Sequence, residues 1–565
     1  MRGDHPEAER ASTELARRYP NDTEALLERA AAQLDQGAVA TAVATLRQLT
    51  ALDSSDPRAW FLLGKSMILV GDARQALTDP LVRALALMTQ LGNTQGRGDV
   101  LNAMGVAHQR LGEHDAATAR YAEAAALRQQ AGDQRGAAVS LTNRAGILVT
   151  LGRFAEAEPD LRAARDVYRR IGDRDGLASA WSGWGALHEG RGEYRDALGA
   201  YREALRIRHE LGNQQQIGQS YDDVGYVYFL QGDHDNALVY WRQALELRQQ
   251  VGDKRGVVLS TQSLGFLQLA RGRWPEAMKS FLDALEKARE IELTDAIAVS
   301  HGNIALLHQL EGRYAAALSG LEEALAILRR LGDARGLAEF TIKRAAALTE
   351  LGRLEQAKLD LDAAAAWVSR TGNREQASDL DVALGEWELA RGEPKRAHEA
   401  CVRAVELARA SGSQAAILRA RIARGMALVA MGQADLAEPD LVQAEREAER
   451  LGEALLRLRA LEARGRSQLD LGRLRAAEET ARVAIQLAER WGWESGLPRL
   501  YALLGRARER RGDAAGASSA YDESSRRVAR LRDALPPAER HLFHLAASEH
   551  ERGRTAERPT AFVVK

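Results

Sequence analysis

Between Gly132 and Gly172 the apolar residues fall at helical spacing in two blocks. The first, from about Gln134 to Leu151, carries Leu141 and Leu148. The second runs to about Ile171, with Ala157, Leu161 and Ala164 at i, i+4 and i+7 on one face. Gly152 separates them. Gly132 suits the left-handed position that ends a preceding helix, and Asp133 can cap the next. The stretch predicts two antiparallel helices joined by a short turn.

The same stretch recurs along the chain. The glycine of Leu111-Gly112-Glu113-His114-Asp115 returns at forty-residue intervals as Gly152, Gly192, Gly232, Gly272, Gly312, Gly352, Gly392, Gly432, Gly472 and Gly512. An alanine stands five residues after each, from Ala117 to Ala517. Small residues seven before the glycine (Gly105, Ala145, Gly185, Gly225, Gly265, Ala305) let the paired helices approach closely. Nine after it stand Tyr121, Tyr201, Trp241, Phe281 and Leu321, and Cys401 occupies this column as a core thiol. Earlier glycines, Gly3, Gly37 and Gly71, are spaced by 34 residues. Leu-Gly-Asp or a relative closes many units, as at Ile171-Gly172-Asp173. Ile291-Glu292-Leu293 lacks that glycine, which predicts a more continuous helix or an altered twist there. A fixed period of this length signals a solenoid.

The columns resemble the tetratricopeptide repeat: Leu101, Gly105, Ala117, Tyr121 and Ala124 fall on its signature spacings. Tyr19-Pro20 and Asp56-Pro57 match the closing region of its short form. The forty-residue units look like the longer variety of adaptor proteins and kinesin light chains. The resemblance implies an all-α, right-handed superhelical solenoid of antiparallel helix pairs. Its expected parts are a half-repeat or capping helix at 1–22, short-period units at 23–97, the forty-residue array at 98–535, a capping helix at 536–551 and a disordered tail at 552–565. Within that tail, Ala561-Phe562-Val563-Val564 is an apolar end able to dock on this chain or on a partner.

Composition narrows function mainly by exclusion. Lys+Arg 78 against Asp+Glu 79 leaves a net charge of −1, so no global field draws in nucleic acid or membrane. Lysine is scarce against arginine, which points to a GC-rich bacterial source. One cysteine rules out an internal disulfide framework and a cysteine-cluster metal site. The start lacks the apolar run of a signal peptide, and no apolar stretch is long enough to span a bilayer, so the expected location is cytoplasmic. No phosphate-binding loop or His-Glu-x-x-His motif occurs. His108, His188 and His308 share a packing column, and His541 and His544 one helix face without a third ligand. The expectation is a chain without catalysis, cofactor or metal.

The resemblance also places the first helix of each unit on a concave groove. The inward columns of the central units hold Tyr226, Phe229, Phe266, Leu269 and Leu306 beside Asp222, Asp223, Gln262 and Asn303. Apolar anchors flanked by amides and carboxylates can hold a peptide, the anchors burying its side chains and the polar groups bonding its backbone. The competing reading is that these aromatics pack on the neighbouring unit. Toward the C-terminus the columns turn basic, with Arg419, Arg459, Arg466, Arg499, Arg506 and Arg510. Guanidinium forks there could recognise carboxylate or phosphate, or simply pair with neighbours such as Glu462 and Glu509.

The leading expectation is thus a non-catalytic scaffold that binds a protein or peptide in its groove. A second reading is the sensory arm of a larger bacterial kinase, protease or transcription regulator, motivated by the half-unit at Gly3. Nucleic-acid binding by the arginine stripe is a third, which the overall charge does not favour. Self-assembly through exposed ends stays open.

Overall fold

The turn glycines of the forty-residue period all adopt left-handed backbone, from φ 68° at Gly112 to φ 87° at Gly512. A side chain at such a φ brings Cβ against the following carbonyl, so glycine ends each first helix at little cost. The glycines between units do the same, among them Gly132 at 79° and Gly172 at 75°. Helix starts are equally local. Asp133 accepts from the backbone N–H of Gly136 at 2.8 Å, and Asp253 from that of Gly256 at 2.9 Å.

The computed structural model describes residues 22–543. Among them every regular element is helical, and no strand occurs. The unit at Gly152 consists of helices Gln134–Thr150 and Phe154–Ile171, and the pattern continues through Ala454–Asp470 and Leu474–Trp491. Expected boundaries hold to within a residue or so here because capping residue and turn glycine are both set by sequence.

Three places depart from regularity. Around Ile291-Glu292-Leu293 the expectation of a continuous helix is overturned. Trp274–Glu290 ends, Thr294–Leu310 begins, and Glu292 itself takes the left-handed conformation at φ 55°. That conformation costs a non-glycine residue roughly 1–2 kcal/mol. Ile291 and Leu293 pack on a cluster of Val258, Ala284, Ala288 and Ala296, which keeps the turn in step with its neighbours. Near the start, the second helix of a short unit breaks at Asp79 into Ala73–Thr78 and Pro80–Gln90, since Pro80 has no N–H for the helix ladder. In the last unit the first helix begins late, at Leu497, with Pro498 in its first turn.

The glycine column seven before each turn makes the close approach its spacing predicts. A Cβ on Gly105 would stand 2.7 Å from the Tyr121 ring, and one on Gly265 2.7 Å from Phe281. Tyr121 and Phe281 are both 0% exposed. Cys401 is 0% exposed against Gly385, and burial pushes its thiol pKa up to about 12, so it is held as a neutral core group.

The chain divides into two units by its internal contacts. The first comprises 22–187, 199–211 and 330–334; the second comprises 188–198, 212–329 and 335–543. Within the second unit the chain returns on itself. A Cβ on Gly192 would stand 3.2 Å from the Gly412 Cα, one on Gly232 2.6 Å from the Leu451 Cα, and one on Gly272 2.8 Å from the Trp491 ring. Ser495 N–H donates to the Leu310 carbonyl at 3.1 Å. One apolar core joins Trp274, Phe281 and Leu307 to Leu458, Trp493 and Leu503.

The last helix, Ala514–Asp533, leads into a 3₁₀ turn at Pro537–Leu542. Leu535 and Phe543 pack with Tyr314, Leu351 and Leu531, and Arg353 pairs with Glu539 at 2.5 Å. The sequence places a longer helix here, reaching residue 551, of which 544–551 lies outside the described residues. The half-unit near Gly3, Pro20, His544 and the apolar end Ala561–Val564 lie outside them too.

Candidate functional site

Tyr226 stands on helix Gln214–Leu230 with 42% of its surface exposed. Solvent reaches it, yet protein surrounds it. Glu189, Glu375, Arg335 and Tyr194 act on its hydroxyl electrostatically, and burial raises its pKa above the usual tyrosine range. Tyr194 is likewise pushed up, to about 12, by burial and the same two glutamates. The guanidinium of Arg335 is exposed and forms no hydrogen bond or salt bridge among the described residues. These residues all belong to the second unit and gather around the Tyr226 hydroxyl.

The other inward positions are mostly committed elsewhere. Phe229 lies 5.6 Å from Trp241 and 5.2 Å from His234, ring centre to ring centre, and Phe266 meets Phe281 edge-on at 5.4 Å. Leu269 packs partly buried on the large core, and Leu306 is half-buried. Gln262, 5% exposed, donates to the Ala296 carbonyl at 3.0 Å and to Ser300 Oγ at 2.9 Å. Asp222 accepts from Arg248 at 2.5 Å, and Arg248 also donates to Ser260 Oγ at 2.6 Å. Burial holds the Asp222 carboxyl up at about 6 against the pull of Arg248. Asp223 accepts from Gln219 at 3.0 Å. Asn303 is 1% exposed, and both polar atoms of its amide lack a hydrogen-bond partner among the described residues. Such an orphan costs about 1–3 kcal/mol. Of the nine inward residues, Tyr226 alone is both aromatic and exposed.

The C-terminal arginines form a ladder of ion pairs. Arg419 meets Asp379 at 3.0 Å and Glu375 at 3.4 Å, Arg459 meets Glu386 at 2.6 Å, and Arg466 and Arg499 share Glu462 at 2.9 and 3.0 Å. Arg510 donates to the Leu469 carbonyl at 2.5 Å, and Arg506 and Arg510 both act on Asp470. Glu462 lies on the same helix as Arg466, whereas the carboxylates that meet Arg419 and Arg459 come from the first helix Arg374–Ala390, tens of residues distant in sequence.

His188 Nδ1 lies 2.6 Å from Glu193, with Asp196 close enough for the three to surround a cation. His108 makes the same contact with Glu113 at 2.8 Å, and His308 a longer one with Glu311 at 3.4 Å. The histidine column therefore bridges each first helix to its own turn. No helix of the described residues is long and apolar enough to cross a membrane.

Tetratricopeptide repeat family models match residues 136–210 and 216–290, and, with a second model, 1–66. The chain is a tetratricopeptide repeat protein. No curated protein matches its sequence. Among solved structures it is similar to a Rap protein complexed with Competence and Sporulation Factor (13% identity, 70% of this chain, 99% of that one, TM-score 0.42). It is similar too to the APC/C hetero-tetramer Cut9-Hcn1 (15%, 86% and 96%, TM-score 0.43) and to BtubC from P. vanneervenii (21%, 38% and 90%, TM-score 0.33). Tetratricopeptide repeats are protein-interaction scaffolds in general, and this repeat protein has the helix-pair array of one.

Proposed function

We propose that this tetratricopeptide repeat protein is a non-catalytic scaffold that holds an extended peptide segment of a partner against Tyr226 of its second unit. The observation that carries this reading is Tyr226, a large aromatic left exposed where its neighbours Phe229 and Phe266 are packed away. An aromatic ring enclosed by protein yet open to solvent can bury a partner's apolar side chain. Glu189, Glu375 and the unpaired guanidinium of Arg335 offer charge around it. The peptide chemistry this favours is an apolar residue flanked by an acidic one for Arg335, since Glu375 is already paired with Arg419.

The test is selection of peptides from a displayed library on the whole protein, followed by affinity measurement on Tyr226→Ala and Arg335→Ala variants. The expected result is a loss of about tenfold or more for Tyr226→Ala, as for a buried aromatic anchor. Peptides bound equally by wild type and both variants would place the binding surface elsewhere. Phe229 and Phe266 are poor test positions, because truncating either disturbs a packed core.

A further inference from the structure

Turns that meet within the second unit form a cleft whose lining does not include Tyr226. Its floor is set by two approaches, Gly232 and His234 against Leu451 and Gly452, and Gly272 against Trp491. Between them lies a volume of about 690 Å³, the size of a site for a small organic molecule.

The charges lining the cleft do not cancel. Arg271 pairs with Asp235 at 2.5 Å, Arg457 pairs with Glu449 at 2.8 Å, and Asp233 accepts from the N–H and side-chain amide of Asn236. That leaves three guanidiniums, Arg273, Arg450 and Arg490, which form no hydrogen bond or ion pair among the described residues. Asp233, whose hydrogen-bond partners are neutral amides, and Glu276 are the lining carboxylates left to oppose them, so the lining keeps one net positive charge. The arginines come from three separate helix ends, so no single amphipathic face explains the cluster.

A second observation points to a ligand. His234 is 5% exposed, lines the cleft, and its Nε2 has no hydrogen-bond partner among the described residues. A buried ring nitrogen left without a partner is costly unless something else supplies one. The backbone contributes as well. Helices Trp274–Glu290 and Ala454–Asp470 begin at the cleft, and neither has a side-chain cap.

We propose that this cleft is a binding site for a small, multiply charged organic phosphate, held by Arg273, Arg450 and Arg490. Three forked cations around a bounded volume suit several phosphoryl oxygens, each fork able to take two. The Trp491 ring, packed on Gly272 at one edge, offers an apolar face for the organic part. Because the cleft is lined by turns far apart in sequence, an occupant would add a further tie between parts of the array that already meet through glycine contacts and a shared apolar core.

The test is calorimetric titration of the full chain with inorganic pyrophosphate at low ionic strength. It is repeated on the double variant Arg273→Gln, Arg490→Gln and on a control of equal charge loss, Arg169→Gln, Arg409→Gln. The expected result is saturable one-site binding, weakened about tenfold or more by the cleft variant and unchanged by the control. Citrate should bind about tenfold less well than pyrophosphate, since its carboxylates are spaced differently and carry less charge per group. All four arginines are exposed, so unchanged helical circular dichroism will show that each variant folds. Absence of saturable heat, equal weakening by cleft and control variants, or citrate matching pyrophosphate would each overturn the assignment.

Discussion

The hydroxyl of Tyr194 donates to the carbonyl of Gly412 at 2.5 Å, across 218 residues of sequence. The bond joins the start of one second helix to the turn that closes a much later unit. It sits beside the close approach of Gly192 to Gly412, whose backbones leave no room for a side chain on either. A repeat array is ordinarily held by neighbours alone. Here the second unit adds long-range contacts, and its stability depends on them.

Replacing Gly412 with valine tests that dependence. Its φ is +77°, and a Cβ would lie 2.7 Å from Gly192 N. Strained backbone and lost contact together should cost roughly 1–3 kcal/mol or more. The denaturation midpoint is expected to fall, with faster hydrogen exchange at residues 188–198. A midpoint equal to wild type would show that the turns meet without supporting one another.

Within a unit, the pairing of a small residue with a large one should behave as a single fitted contact. Gly265→Val drives a branched side chain into Phe281, and overpacking of this kind costs about 1–3 kcal/mol. Adding Phe281→Ala should make the combined loss smaller than the sum of the single losses, because the ring that clashes is gone. Simple additivity in the double-mutant cycle would contradict the contact.

Arg248 and Asp222 make a different kind of pair. Arg248 is 2% exposed, and its carboxylate partner has no other cation within hydrogen-bonding distance among the described residues. Arg248→Met leaves that carboxylate buried alone and should cost roughly 3–5 kcal/mol, whereas Arg248→Met with Asp222→Leu should recover most of it. Chemical denaturation of the three proteins checks this.

His234 predicts a pH dependence. Burial and the nearby Arg271 lower its pKa from 6.5 to about 4, against the weaker opposing pull of Asp235 and Asp233. Between those values the unfolded chain holds more protons than the folded one, so stability falls as pH falls from about 6.5 to 4. The full effect is on the order of 3 kcal/mol. His234→Phe, which can keep the ring stacked on Phe229, should flatten that part of the acid limb in thermal unfolding.

Much of the fold was legible in the residues because its causes are local. Gly112 and its successors need left-handed backbone, Asp133 and Asp253 cap the helices that follow them, and the Gly105–Tyr121 spacing states a close contact outright. The same logic failed at Glu292, where the turn survives without glycine because packing of Ile291 and Leu293 holds it. It also passed over a recurrent ion pair. Arg144 meets Asp160, Arg344 meets Asp360 and Arg424 meets Asp440, always eight residues before and after the turn glycine. That column is readable in the sequence from its fixed spacing alone.

The candidate site was less legible. Periodicity correctly assigned Asp222, Gln262 and Asn303 to the first helices, but it cannot tell a side chain that faces a hollow from one that reaches its neighbour. For the arginines from Arg419 to Arg510 the sequence offered Glu462 as a partner, as found, but not Asp379 and Glu386, which lie on a helix tens of residues earlier.

Taken alone, the sequence determined helix, turn and unit length, since each follows from backbone preferences within a few residues. Only the tertiary structure decided which charges are neutralised, which aromatic is left open and which distant loops enclose a cleft. Those depend on the small rotation from one unit to the next, accumulated until Gly192 meets Gly412. No single repeat encodes that sum, because it is set jointly by every interface between neighbours.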